Sequence, residues 1–167
     1  MAGQIIMLLF PLMMFFAATS DLMTMRISNR LVFIIVICFV VAATVTGMSM
    51  SDFGLHFAAA AAVLAGGFTL FVLGWVGGGD AKLAAATTLW LGFGATVPYL
   101  LYGAILGGAL TLLILVVRRF PLPGKLQSVD WIDRLHNPKT GIPYGIALAI
   151  SGVLTYAQTD IFVLLAT

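Results

Sequence analysis

Gly77-Gly78-Gly79-Asp80-Ala81-Lys82 stands between two long apolar segments, and its reading decides the fold. Three consecutive glycines do not pack a core. Each costs about 0.5–1 kcal/mol in a regular element relative to alanine, so the chain here needs a close backbone approach or an unusual bend. Beside them stands Asp80, in a sequence with only six acidic residues. Upstream, residues 54–75 are rich in Ala and Gly and end at Trp75. Downstream, residues 81–97 run apolar as far as Pro98. A helix needs ~20 apolar residues to cross a bilayer, and both flanks come near that length.

The rest of the 167 residues agrees. The chain is 62% hydrophobic and 8% charged, with mean hydropathy +1.13. Soluble domains carry about 25% charged residues, so a soluble fold is excluded. The predicted fold is all-α, a polytopic membrane bundle of about six transmembrane helices. The predicted spans are 4–21, 30–47, 54–75, 81–97, 98–117 and 142–165, with the fourth and fifth divided at Pro98. They form a single membrane-embedded domain over 1–167, with no room for a large extramembrane domain. A cleaved signal peptide is a poor reading of the first span, because no Lys or Arg precedes it. No internal repeat is visible, so a transporter built from two related halves gains no support.

With six spans, all eight basic residues fall on one side of the membrane. Arg26 and Arg30 follow the first span and Lys82 follows the third. Arg118, Arg119, Lys125, Arg134 and Lys139 follow the fifth. The positive-inside rule assigns that side to the cytoplasm, so both termini are predicted outside it. The one long polar segment, 118–141, is then cytoplasmic. Within it Val129, Trp131, Ile132 and Leu135 alternate with Asp130, Asp133 and Arg134, the pattern of a short interfacial helix. Asp21 and Asp80 come to the same membrane depth, while Asp52 and Asp160 lie on the opposite face. The Gly103-x-x-x-Gly107 spacing allows close helix packing. Trp75, Trp90, Trp131, Tyr99, Tyr102, Tyr144 and Tyr156 lie mostly near span ends, where an interfacial aromatic belt explains most of them.

An ionisable group at the edge of the hydrocarbon is a functional candidate. Asp80 also reads as a helix N-cap, and Asp21 as a polar residue closing the first span, paired with Arg26. Two carboxylates held together have a specific chemistry. They share one proton, so one member takes a proton from water while the other polarises a peptide carbonyl. Lys82 is either a neutralising cation or a topology anchor. Arg26 and Asn29 order the loop beside Asp21. Pro143, Tyr144 and Gly145 shape the start of the last span, with a substrate groove as a second role. Asp130 and Asp133 are a rival pair, better explained by a solvated helix face. Cys38 reads as packing or lipid contact, and His56 as interfacial. One cysteine and a lone His136 make no metal site, and neither a cofactor nor a nucleic-acid partner is implied.

Gly77-Gly78-Gly79-Asp80 resembles the Gly-x-Gly-Asp motif of the membrane aspartic proteases, which include presenilins and type IV prepilin peptidases. The continuation Asp80-Ala-Lys-Leu-Ala-Ala-Ala, with Leu89-Trp90-Leu91-Gly92, is similar to the prepilin peptidase version. Asp21-Leu-Met-Thr-Met-Arg-Ile-Ser-Asn-Arg-Leu is similar to that family's Asp and Arg-Ile-Pro-Asn turn, with Ser28 at the usual proline. Arg134-Leu-His-Asn-Pro-Lys-Thr-Gly-Ile-Pro-Tyr-Gly-Ile-Ala-Leu-Ala resembles the last span of the small members that serve Flp/Tad pili. The likeness runs over residues 15–155 or so.

The resemblance implies that Asp21 and Asp80 are the catalytic pair, with Gly77, Gly78 and Gly79 shaping the site. It implies an aspartic endopeptidase of the bacterial inner membrane. That enzyme cuts the leader of Flp-type prepilins on the cytoplasmic side, after a small residue, next to the pilin's apolar helix. Its partners are the prepilin, the bilayer and, indirectly, the pilus assembly machinery. The larger bifunctional members carry a cysteine-paired insertion and methylate their product. Here residues 22–29 are the whole first loop, so no methyltransferase domain is expected and another protein would have to methylate. The alternatives are a peptidase for pseudopilins or other secretion-system precursors, and a non-enzymatic membrane assembly or transport subunit.

Overall fold

A computed structural model describes residues 2–166, apart from the side chains of Ala2 and Gln4. All its regular structure is helical: α1 Ala2–Thr24, α2 Asn29–Val45, α3 Met50–Val72, α4 Gly78–Val117, α5 Gly124–Gln127, α6 Asp130–His136, α7 Tyr144–Tyr156 and α8 Asp160–Ala166. Three of the described helices are long and apolar enough to cross a membrane, namely Ile5–Thr24, Met50–Val72 and Gly78–Val117. A fourth is added if α7 and α8, bent by 62° at a short break, count as one. The 17 residues of α2 are apolar but shorter.

Local signals set the ends of these helices. Ser28 starts α2, with its Oγ accepting from the Leu31 N–H at 3.2 Å. Its φ of −73° is one that proline also adopts, so serine keeps the turn and adds a cap. At the ends of α2 and α3 the chain turns through Gly47 (φ 67°) and Gly74 (φ 76°). Met48 N–H reaches back to Ala43 O and Trp75 N–H to Leu70 O, the six-to-one bond of a Schellman turn.

The centre of the bundle is the first half of α4. Ala81 and the run from Leu83 to Gly92 are buried, with α2, α3 and α7 packed around them and α1 reaching in through Phe10 and Met14. Small residues permit that crowding: a Cβ added to Gly67 of α3 would lie 3.0 Å from the Ala81 Cβ. Further along, large rings fill the space. Phe10 stacks at 4.6 Å from Tyr156 and 5.2 Å from Trp90, and Trp90 meets Phe39 at 6.0 Å. The Trp90 Nε1–H donates to Ile35 O at 3.0 Å, so the indole is satisfied inside the core. Trp90, Tyr99 and Tyr156 are therefore core residues and not members of an interfacial belt. Trp75 and Tyr102 are exposed as such a belt requires.

α4 breaks at Gly92, and not at Pro98. Gly92 takes φ 66° and ψ −179°, a backbone region essentially reserved for glycine. Pro98 sits inside the helix 93–117, close to its start, where it removes one intrahelical bond. The break orphans the Leu89 carbonyl, and the Nδ1–H of His56 donates to it at 2.7 Å. His56 is thus a strut from α3 to the break. The second half of α4 then runs back beside α7, with Gly103 against Leu148 and Ser151 and Gly107 under the ring of Tyr144. The Gly103–Gly107 spacing is the seam of that contact.

Gly92→Ala is expected to destabilise the fold strongly. It would force alanine into the reserved backbone region and set its Cβ 3.0 Å from the His56 ring. A loss of about 2–4 kcal/mol should show as a lower unfolding midpoint in detergent. Gly74→Ala has positive φ but open space, so about 1–2 kcal/mol is expected. Equal shifts for the two variants would refute the role of the His56 contact.

Candidate active site: two carboxylates in one groove

Asp80 is the third residue of α4, with Gly77 as the N-cap. Its carboxylate turns back onto the backbone N–H of Gly77, the reach-back of a capping box. The expectation that Asp80 is the N-cap is corrected: glycine takes that position, and Asp80 acts from the first turn instead. Gly77 has φ −69° and ψ 140°, and neither Gly78 nor Gly79 has positive φ. The glycine stretch is not bent; it is there for close approach. A Cβ on Gly77 would lie 2.7 Å from Asp80 Oδ2, one on Gly78 would lie 3.2 Å from the Phe71 ring, and one on Gly79 would lie 3.4 Å from Ile27.

Ile27 joins the turn after the Asp21 helix to the glycine that precedes Asp80. It belongs to the short turn after α1, the helix that carries Asp21. Met25 N–H donates to Asp21 O at 2.7 Å, and Met25 takes φ 54°, a left-handed conformation. The chain thereby turns sharply and lays Ile27 on Gly79, one residue from Asp80. Ser20 and Thr24 hydroxyls donate to the Arg26 carbonyl and hold the turn.

Asp21 is 5% exposed. Its Oδ2 accepts from the backbone N–H of Gly145 at 2.7 Å, in the first turn of α7. That N–H has no intrahelical partner, and the positive end of the helix favours a carboxylate. Pro143, buried, precedes the turn, and a Cβ on Gly145 would lie 2.7 Å from Asp21 Oδ2. Asp21 is thus tied to α7 and not to Arg26. Among the described residues no basic side chain forms an ion pair with either carboxylate.

Both carboxylates line one groove of about 1670 Å³. Ala59, Ala62 and Gly66 of α3 form one wall. Leu100, Gly103 and Ala104 of α4 form the other. The groove reaches Phe93, just past the break at Gly92. From Asp80 to Phe93 the helix rises about 20 Å, most of the ~30 Å hydrocarbon thickness.

The sequence profile of the type IV leader peptidase family matches residues 8–112, which include both carboxylates. The chain belongs to the type IV leader peptidase family. No curated protein and no solved structure gives a match.

The other expected site residues of this leader peptidase divide clearly. Lys82 Nζ donates to Asn29 Oδ1 at 3.0 Å, which ties the start of α4 to the start of α2. Arg26 and Asn29 line the groove. Tyr144 lines it as well, and its hydroxyl accepts from Thr111 Oγ1 at 3.2 Å. Asp130 and Asp133 are exposed on α6 and do not line the groove. Asp52 accepts from Ser49 Oγ at 2.7 Å in the first turn of α3. Among the described residues no three His, Cys, Asp or Glu side chains come together in a metal-binding group.

Arg118 is the residue that sequence reasoning missed. It lines the groove and makes four hydrogen bonds to residues 135–141. Nothing in the sequence separates it from Arg119 or the other basic residues of the same segment.

Proposed function

We propose that this peptidase is an aspartic endopeptidase that removes the leader of Flp-type prepilins at the cytoplasmic face of the bacterial inner membrane. The observation that carries the reading is that Asp21 and Asp80 line one groove, which has a wall of small residues. In the proposed reaction one carboxylate is ionised and the other protonated. The ionised one takes a proton from water, and the water oxygen bonds to the scissile carbonyl carbon. The protonated one gives its proton to the carbonyl oxygen. Collapse of the tetrahedral adduct breaks the C–N bond, and the leaving nitrogen takes a proton from the pair.

In the accompanying topology α1, α2, α3, the two halves of α4, and α7 with α8 make six crossings. All basic residues then lie on the cytoplasmic side, the termini are periplasmic, and α6 lies along the membrane surface. The groove holds the apolar helix that follows the leader, and the polar leader lies on the cytoplasmic side of the carboxylates. Pseudopilins share this layout, so they are the nearest alternative substrates.

The test uses the full chain in bilayers and a peptide with a polar leader ahead of an apolar helix. The expected result is one cut at the junction, read by product mass. Gly66 lines the groove, and a Cβ there would meet nothing within 4 Å, so Gly66→Trp directs its ring into the groove. It is expected to raise KM about tenfold, equivalent to about 1.4 kcal/mol of lost binding. Cuts scattered within the helix, or a Gly66→Trp enzyme with normal KM, would refute the docking mode.

A further inference from the structure

Arg118 is the C-cap of α4. Its Nε donates to Leu135 O at 2.9 Å. Its Nη2 donates to Gly141 O at 3.1 Å, and to Thr140 O and Oγ1 at 3.3 Å each. A planar fork of donors reaches these acceptors together, and a lysine ammonium does not reproduce it. Thr140 Oγ1 donates in turn to the carbonyls of Arg134 and Asn137. Arg134 Nη1 donates to Met23 O at 2.7 Å, two residues past Asp21. Gly141 leads through Pro143 to Gly145, whose N–H holds Asp21. The folded segment is therefore bound at one end to the helix of Asp21 and at the other to the strap that carries its hydrogen-bond donor.

We propose that Arg118 is a positioning residue for Asp21, acting through residues 140–145 to keep the Gly145 N–H on the carboxylate. The inference rests on the reading of Asp21 as one of the catalytic pair. Arg119, the next residue, is exposed, and its side chain has no partner among the described residues. It serves as a control for charge.

The experiment compares Arg118→Ala, Arg118→Lys and Arg119→Ala in the full chain in bilayers, with the leader–helix peptide as substrate. It reads kcat, KM, the pH–rate curve and amide exchange over residues 142–147. Arg118→Ala is expected to lower kcat about 10- to 100-fold, as a displacement near 1 Å does. KM should stay within about twofold, the pH–rate curve should move, and exchange should quicken. Arg118→Lys should fall between, and Arg119→Ala should match the wild type. Unchanged kcat, or a loss confined to KM, would overturn the proposal. If Arg118→Ala does not fold, a lysine variant with wild-type kcat and exchange overturns it equally. Failure of the catalytic-pair reading looks different: Asp21→Asn would then keep its activity.

Discussion

Asp80→Asn and Asp21→Asn, made separately, are each expected to lower the cleavage rate by about 10²–10⁴-fold, the range that one acid–base group contributes. The substitution keeps size and shape while removing the ability to exchange a proton. KM should change little, since the apolar groove is intact. Neither variant should unfold. Asn at position 80 can still accept from the Gly77 N–H, and Asn at position 21 can still accept from Gly145 through its carbonyl oxygen. The double variant should lose little beyond either single one, because groups that act as a unit are not additive. A single variant that cleaves at the normal rate would end the two-carboxylate mechanism. The comparison is made by single-turnover kinetics with equal amounts of folded protein.

Gly145→Ala should lose almost as much, although position 145 carries no chemical group. Its new Cβ would stand 2.7 Å from Asp21 Oδ2 and 3.0 Å from both the Cβ and the Cγ of Asp21. The carboxylate oxygen could swing aside, but the Asp21 Cβ at 3.0 Å is fixed to its helix and cannot. Asp21 sits on a buried helical turn, and Gly145 is itself in the first turn of α7. Either the helices part or the carboxylate turns away from the N–H. Both outcomes move a reacting group by a substantial fraction of an ångström, for which a kcat loss of about 10²-fold is the scale. The strain should also lower stability by about 1–3 kcal/mol. Gly141→Ala, nearby but in open space, should keep its activity. Equal kcat for Gly145→Ala and the wild type would show that Asp21 does not depend on its close contact with α7.

The parts of this molecule that are readable in the chain are those with local or periodic signals. The apolar composition dictates a membrane bundle, and a rare Asp beside three glycines marks the groove. The Gly103–Gly107 spacing marks a helix seam. What escapes the sequence is long-range or ambiguous. The bond from Gly145 to Asp21 joins residues 124 apart and uses a backbone group that every residue has. Gly92 is one of many glycines, and Pro98 six residues later is the stronger helix breaker on statistical grounds, yet glycine alone adopts the backbone found at the break. Trp90 reads as an interfacial ring until Ile35 O is seen to accept its N–H. The division of α4 into two segments is legible from the sequence, but its position is not, because the break falls at Gly92 and not at Pro98.

That single-residue reversal bears on how the protein is made. In the six-crossing arrangement nothing but Gly92 lies between the fourth and fifth crossings, so there is no tail to translocate and no loop to anchor outside. The halves of α4 have to leave the insertion machinery as one closed pair. In that arrangement a pause between them would leave residues 78–91 beside α1, α2 and α3 alone, with the second half of α4 and α7 still to come. If the six-crossing arrangement holds, slowed synthesis across codons 92–117 is expected to lower yield without changing the stability of the finished fold.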